Sequence, residues 1–184
     1  MSRRTHFITI KEFIHKGMYT LKEPDVFNNT FNCVSDVADY KTCVFDFEQP
    51  IDYFEAQIVN NSGCCRIGFA TKEVELLTVL GFDQYGYSYT SKNGYGMHQS
   101  RRIRFGERFS VKDFFSCYLK RKNCHTTLHF FINGMEVNKH FSIPENNQGK
   151  LFPALSLYNF CEVNMNFGPF FAYKEKVLSQ IKNN

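Results

Sequence analysis

The sequence predicts an all-β fold: two antiparallel sheets packed face to face, with little helix. Three observations predict it. Aromatic residues make up 17% of the 184 residues, with 21 Phe and no Trp, and such side chains suit a pleated, half-buried surface. Short stretches alternate apolar and polar residues with a period of two. Turn residues separate those stretches at close intervals, giving about ten short strands in all.

The organising stretch is Leu80 to Ser100. Leu80-Gly81-Phe82 leads into the turn residue Asp83, and Tyr85, Tyr87 and Tyr89 then alternate with Gly86, Ser88 and Thr90 as one strand. Gly94 and Gly96 are expected to let the chain turn. Ahead of this stretch, residues 1–27 fit either a helix, from the spacing of Ile10, Phe13 and Ile14, or a strand over Phe7 to Ile10. Thr30 to Phe47 reads as two strands separated by Ser35-Asp36, with Tyr40 ending the connection and Gln49-Pro50 stopping the second strand. In Tyr53 to Val59, Phe54, Ala56 and Ile58 face one way, and Tyr53, Glu55 and Gln57 the other.

Asn60 to Gly63 is a turn by composition. In the next strand Cys65, Ile67 and Phe69 share a face, and Arg66 lies on the opposite face with Gly68. An arginine there must reach water, a carboxylate or a partner. An internal pair and a binding role both satisfy that requirement. Thr71 to Val79 reads as a loop or a short helix. After the central stretch, Arg101, Arg102, Arg104 and Arg108 form a basic cluster that suits a solvated loop or a phosphate contact.

Phe114 to Leu119 reads as a strand, and Lys120-Arg121-Lys122 as a charged hairpin tip. Leu128, Phe130 and Ile132 run into Asn133-Gly134, whose residue pair suits a tight hairpin turn. Phe152 to Leu157 and Glu162 to Phe167 are the closing strands, with Val163, Met165 and Phe167 inward. Val177, Leu178 and Ile181 make a small helical stripe in the tail.

Lys plus Arg is 22 and Asp plus Glu is 18, a net charge of +4. That mild excess permits an acidic partner without demanding nucleic acid. Seven cysteines, an odd number with no paired spacing, are expected to be reduced and mostly buried in an intracellular protein. No apolar run reaches membrane-spanning length, so no membrane contact is expected. Cys117, Cys124, His125 and His129 match no zinc spacing, and no metal or cofactor is expected. There is no P-loop, dinucleotide fingerprint or Gly-x-Ser-x-Gly elbow. His98 reads as a hydrogen-bonded structural residue. These readings point to a binding domain and not to an enzyme.

The order of segments resembles a SPRY domain, a concanavalin-like sandwich. The segments are Tyr53-Phe54-Glu55, Arg66-Ile67-Gly68-Phe69, Leu80-Gly81-Phe82-Asp83, Phe131-Ile132-Asn133-Gly134, Phe152-Pro153-Ala154 and Val163 to Gly168. Within that superfamily, three features are similar to the trithorax-group Ash-two and Bre-two subunits. They are Ser91 to Gly94 leading to His98-Gln99-Ser100, Pro153 to Tyr158, and Phe167 to Phe170 with Tyr173. The resemblance implies an N-terminal extension over residues 1–21, a SPRY domain over 22–173 and a short tail over 174–184.

It also implies a function: a non-catalytic nuclear scaffold in a histone H3 lysine-4 methyltransferase complex of the COMPASS kind. Such a scaffold binds an acidic and aromatic segment of the WD40 subunit called retinoblastoma-binding protein five, and supports the SET-domain enzyme. Position by position, Arg66 would meet the acidic peptide and Lys92 would add a second charge. Tyr40 and Phe82 would form the apolar wall, Phe82 replacing the family's usual Tyr. A weak DNA or nucleosome contact is a further expectation. The tail is too short for the helix that docks a Dumpy-thirty dimer in that family. The alternative is a generic SPRY adaptor of the Ran-binding-protein or ubiquitin-ligase kind.

Overall fold

The period-two stretches become the strands of two antiparallel sheets. A computed structural model describes residues 20–25, 30–35, 41–47, 49–147 and 151–182. Tyr40 and the helix-or-strand stretch at residues 7–14 lie outside the described residues. In chain order the first strands are β1 (Thr20–Asp25), β2 (Thr30–Val34), β3 (Lys41–Val44), β4 (Tyr53–Asn60) and β5 (Cys64–Ala70). Then come β6 (Gly86–Thr90), β7 (Tyr95–His98), β8 (Arg101–Arg104), β9 (Phe114–Lys122) and β10 (His125–Ile132). The last are β11 (Met135–Glu136), β12 (Phe141–Ile143), β13 (Phe152–Tyr158) and β14 (Glu162–Asn166), followed by helix α1 (Lys174–Lys182).

The first sheet has the order β1-β2-β14-β4-β9-β10-β11, with β12 also pairing β10. The second has the order β3-β13-β5-β6-β7-β8. The described residues thus hold fourteen strands where the sequence suggested about ten. The surplus comes mainly from two- to four-residue pieces such as β11 and β12, too short to show a period.

Between the sheets, Phe54, Ala56 and Ile58 of β4 meet Cys65, Ile67 and Phe69 of β5 in one buried cluster. Tyr87 and Tyr89 join it, Tyr89 lying 5.1 Å from Phe115 between ring centroids. Truncating one such fully buried ring costs about 3–5 kcal/mol. Tyr85 precedes the strand and packs instead on a separate outer cluster with Ala70, Val74, Leu80 and Ala154. The expected three-tyrosine face is therefore two tyrosines long.

Gly94 has φ of +68° and makes a turn, as expected. Gly96 instead lies within β7, where an added Cβ would meet the Phe105 ring at 2.6 Å. Its role is close packing and not chain reversal. Lys120 to Lys122 end β9, and the turn itself is Asn123-Cys124. Asn133 and Gly134 have φ of 51° and 72° and close the β10–β11 hairpin.

The chain from Phe171 to α1 covers the outer face of the first sheet. Val177 and Ile181, one helical turn apart, are buried with Tyr53 and Phe131. Glu175 in the first turn and Lys182 in the last complement the helix dipole. Under this cover, Tyr53 and Glu55 are buried although they point away from the inter-sheet core. Thr71 to Val79 forms turns and not a helix, and lies over the second sheet.

Candidate peptide-binding site

On the second sheet's outer face, a loop is fastened down by hydroxyls. Thr42 Oγ1 donates to the Thr78 carbonyl at 2.7 Å and shares a 2.8 Å bond with Ser156 Oγ. The Leu80 amide donates to Ser156 Oγ at 2.8 Å. Ser88 Oγ donates to the Leu80 carbonyl at 2.9 Å. The same carbonyl accepts from Arg66 Nη1 at 3.2 Å. Leu80 is thus a fixed point in a buried polar network, and Arg66 lies half-buried at its edge.

Two residues beyond Leu80, Phe82 is 55% exposed. An exposed ring on a tightly held loop is an ordered apolar surface. The turn is fixed locally: the Phe82 amide bonds the Val79 carbonyl at 3.0 Å, and Ser100 Oγ donates to the Phe82 carbonyl at 2.9 Å. Asp83 then accepts from the amides of Tyr85, Gly86 and Glu75 at 2.8–3.1 Å. That acid is turned into the loop's own backbone.

Across the strands, Arg66 pairs in register with Thr90 of β6, and Lys92 follows two residues later in the exposed β6–β7 turn. Phe82 is instead held to Ser100 in the β7–β8 turn, at the other end of β7 from the turn that carries Lys92, and Arg66 reaches the same loop through the Leu80 carbonyl. Tyr40, the fourth expected member, is outside the described residues. Arg101, Arg102 and Arg104 are exposed on β8, which ends the second sheet. Charges on a terminal strand discourage further strand pairing.

Four of the seven thiols are held in their unreactive, protonated form. Burial pushes the Cys33 thiol up to about 12, and raises Cys43, Cys65 and Cys117 well above the ordinary thiol value. His98 Nδ1 lies 3.0 Å from the Gly86 carbonyl, and its ring stacks on Tyr87 at 4.0 Å. Burial lowers its pKa, against the raising effect of that hydrogen bond. The four residues weighed as metal ligands are divided: Cys117 and His129 are buried, whereas Cys124 and His125 are exposed at the hairpin tip. Among the described residues, the His/Cys/Asp/Glu group close enough to share one ion is His129, Glu136 and His140. The sequence reading missed it because Glu136 and His140 lie on pieces too short to show a pattern. No helix among the described residues is long and apolar enough to cross a membrane.

A rigid two-sheet scaffold with a polar-anchored loop defines a class first: a β-sandwich whose loops carry recognition. Comparison with known proteins gives the family. The SPRY domain model matches residues 51–170, and the chain belongs to the SPRY domain family. A crystal structure of a human SPRY domain superposes with a TM-score of 0.68 at 17% identity, covering 84% of this chain and 98% of that one. The two folds are the same.

Curated relatives include the probable ATP-dependent RNA helicase ddx1 of Dictyostelium discoideum, 33% identical over 116 residues. The ATP-dependent RNA helicase DDX1 of Xenopus laevis is 28% identical over 116 residues, and that of Drosophila melanogaster 34% over 119. Each match takes in 63% of this chain but 14–15% of the relative's length. SPRY domains are generally non-catalytic interaction modules, and the chain is such a module by family. The relatives' names point to RNA helicases and not to the methyltransferase scaffolds that the sequence motifs resemble.

Proposed function

We propose that this domain takes an acidic, aromatic-containing peptide along the outer side of the second sheet, over Arg66, Phe82 and Lys92. One observation carries the reading: Arg66 donates to the carbonyl of Leu80, two residues before the exposed Phe82. An arginine presents a planar fork that suits a carboxylate, and the bond to the Leu80 carbonyl fixes how Arg66 lies against the loop. Phe82 supplies exposed apolar area on the same loop.

The occupant implied by the sequence resemblance is the acidic segment of a WD40 subunit in a COMPASS-like complex. The chain would then be a nuclear scaffold supporting the SET-domain methyltransferase. The exposed arginines of β8 would supply the weak DNA or nucleosome contact. A Dumpy-thirty dimer is not part of the proposal, since Val177 and Ile181 of α1 are buried against the domain's own sheet.

The similarity to RNA helicases favours a second reading, in which the same face serves a SPRY adaptor for a different peptide. Pulldown from a native extract separates the two. Recovery of a WD40 and a SET-domain protein by the wild-type chain, lost with Arg66→Glu, supports the scaffold. Recovery of other proteins, equally lost with that variant, supports the adaptor. Recovery unaffected by the substitution contradicts both.

A further inference from the structure

A second site lies on the other sheet, and its residues come together through the Asn133-Gly134 turn and the short segment between β11 and β12. Leu128 pairs with Phe141 and Thr127 with Ser142, so the next step of that register puts His140 opposite His129. Their rings lie 4.6 Å apart between centroids at an interplanar angle of 27°. On the other arm of the hairpin, Phe131 pairs with Glu136, which places Glu136 diagonally across from His129. His129 Nδ1 and Glu136 Oε1 are 2.5 Å apart. The ligand atoms of His129, Glu136 and His140 all lie within 4.8 Å of one another.

We propose that these three residues form a binding site for a divalent transition-metal ion of the zinc class. Two imidazoles and one carboxylate are a donor set that zinc accepts, with a fourth position left for water or another ligand. The residues grade from buried His129 through half-buried Glu136 to exposed His140, so an ion entering from solvent meets His140 first. They open on a cavity of about 580 Å³ that Thr127 and His125 also line.

A supporting contact orients the buried ligand. His129 Nε2 lies 2.8 Å from Thr127 Oγ1, which can accept a proton-bearing Nε2. Nδ1–H donates to the Glu136 carboxylate, and an ion bound between the two would displace that proton. Lys120 and Lys122 line the same cavity and oppose a bare cation. Lys120 is occupied elsewhere, its Nζ donating to the Ile181 carbonyl at 3.3 Å near the negative end of α1. Lys122 would instead favour an anion at the open position.

The test titrates zinc alone, then cobalt alone, into the full chain carrying Cys124→Ser, which removes the exposed thiol. One equivalent per chain by calorimetry is expected, with cobalt giving visible bands of a four- or five-coordinate site. His140→Ala should weaken binding at least about tenfold, and Glu136→Gln comparably, while His125→Ala should change it less than about twofold. His140 is exposed, so its variant keeps the fold, and an unchanged melting curve without metal verifies that. Absence of saturable binding, or binding that His140→Ala leaves intact, overturns the site.

Discussion

Glu55 and Arg66 lie on the outer faces of the two sheets, and they are treated differently. Glu55 on β4 is 1% exposed and accepts from Tyr53 Oη at 2.6 Å and from the amides of Ala172 and Tyr173 at 2.8 and 2.7 Å. Its partners come from its own chain, and its role is to pin the segment that carries α1. Arg66 on β5 is half-buried and shares a carbonyl with Ser88 at the edge of a loop whose next ring is exposed. A buried carboxylate with several internal partners is structural. The first region holds the fold, and the second is the one we propose a partner's carboxylates meet.

That contrast is sharpest in its largest expected effect. Glu55→Gln removes the charge and turns an acceptor into a donor beside two backbone amides, so stability should fall by about 3–5 kcal/mol in urea unfolding. Peptide affinity of the molecules that remain folded should be unchanged. Phe82→Ala should show the opposite pattern, costing about 1–2 kcal/mol of peptide binding with little change in unfolding midpoint. Ser156→Ala tests the loop between these extremes. It frees the Leu80 amide, so a stability loss of about 1–2 kcal/mol should be accompanied by weaker peptide binding as the loop loosens.

Two smaller effects refine the picture. The His98 pKa is lowered chiefly by burial, below the ordinary value of 6.5. The unfolded chain then binds more protons in that range, so this contribution is present above pH 6.5 and is lost as pH falls below it. Urea midpoints at pH 7.5 and 5.5 should differ less in His98→Gln than in the wild type. Lys92→Ala should weaken peptide binding by only about 0.2–1 kcal/mol, an effect that disappears in high salt.

Much of the fold was legible because its strands are long enough to show a period. The alternation of Phe54, Ala56 and Ile58, and of Cys65, Ile67 and Phe69, marks the two facing layers, and leaves Arg66 on the other side. Glu55 was readable as outward-facing but not as buried, because the amides that satisfy it come from Ala172 and Tyr173, more than a hundred residues away. Gly96 looked like a turn because nothing local reveals that Phe105 lies over it. His129, Glu136 and His140 were invisible as a group, since two of them owe their position to strand pairing and not to spacing. Arg66 was readable from its place opposite the core face, whereas Phe82 and Lys92 were readable only through family resemblance. The structure gives their strand and loop positions, and the motif-level likeness to methyltransferase scaffolds stands beside a closer-reading similarity to RNA helicase regions.

The central claim is that Arg66 is presented to a partner's carboxylates. Calorimetric titration of the wild-type domain and of Arg66→Glu with a synthetic peptide of alternating acidic and aromatic residues tests it directly. The account predicts a loss of about 2–5 kcal/mol of binding in the variant, measured at a temperature where its unfolding curve shows it fully folded. Equal affinity in the two proteins would contradict it.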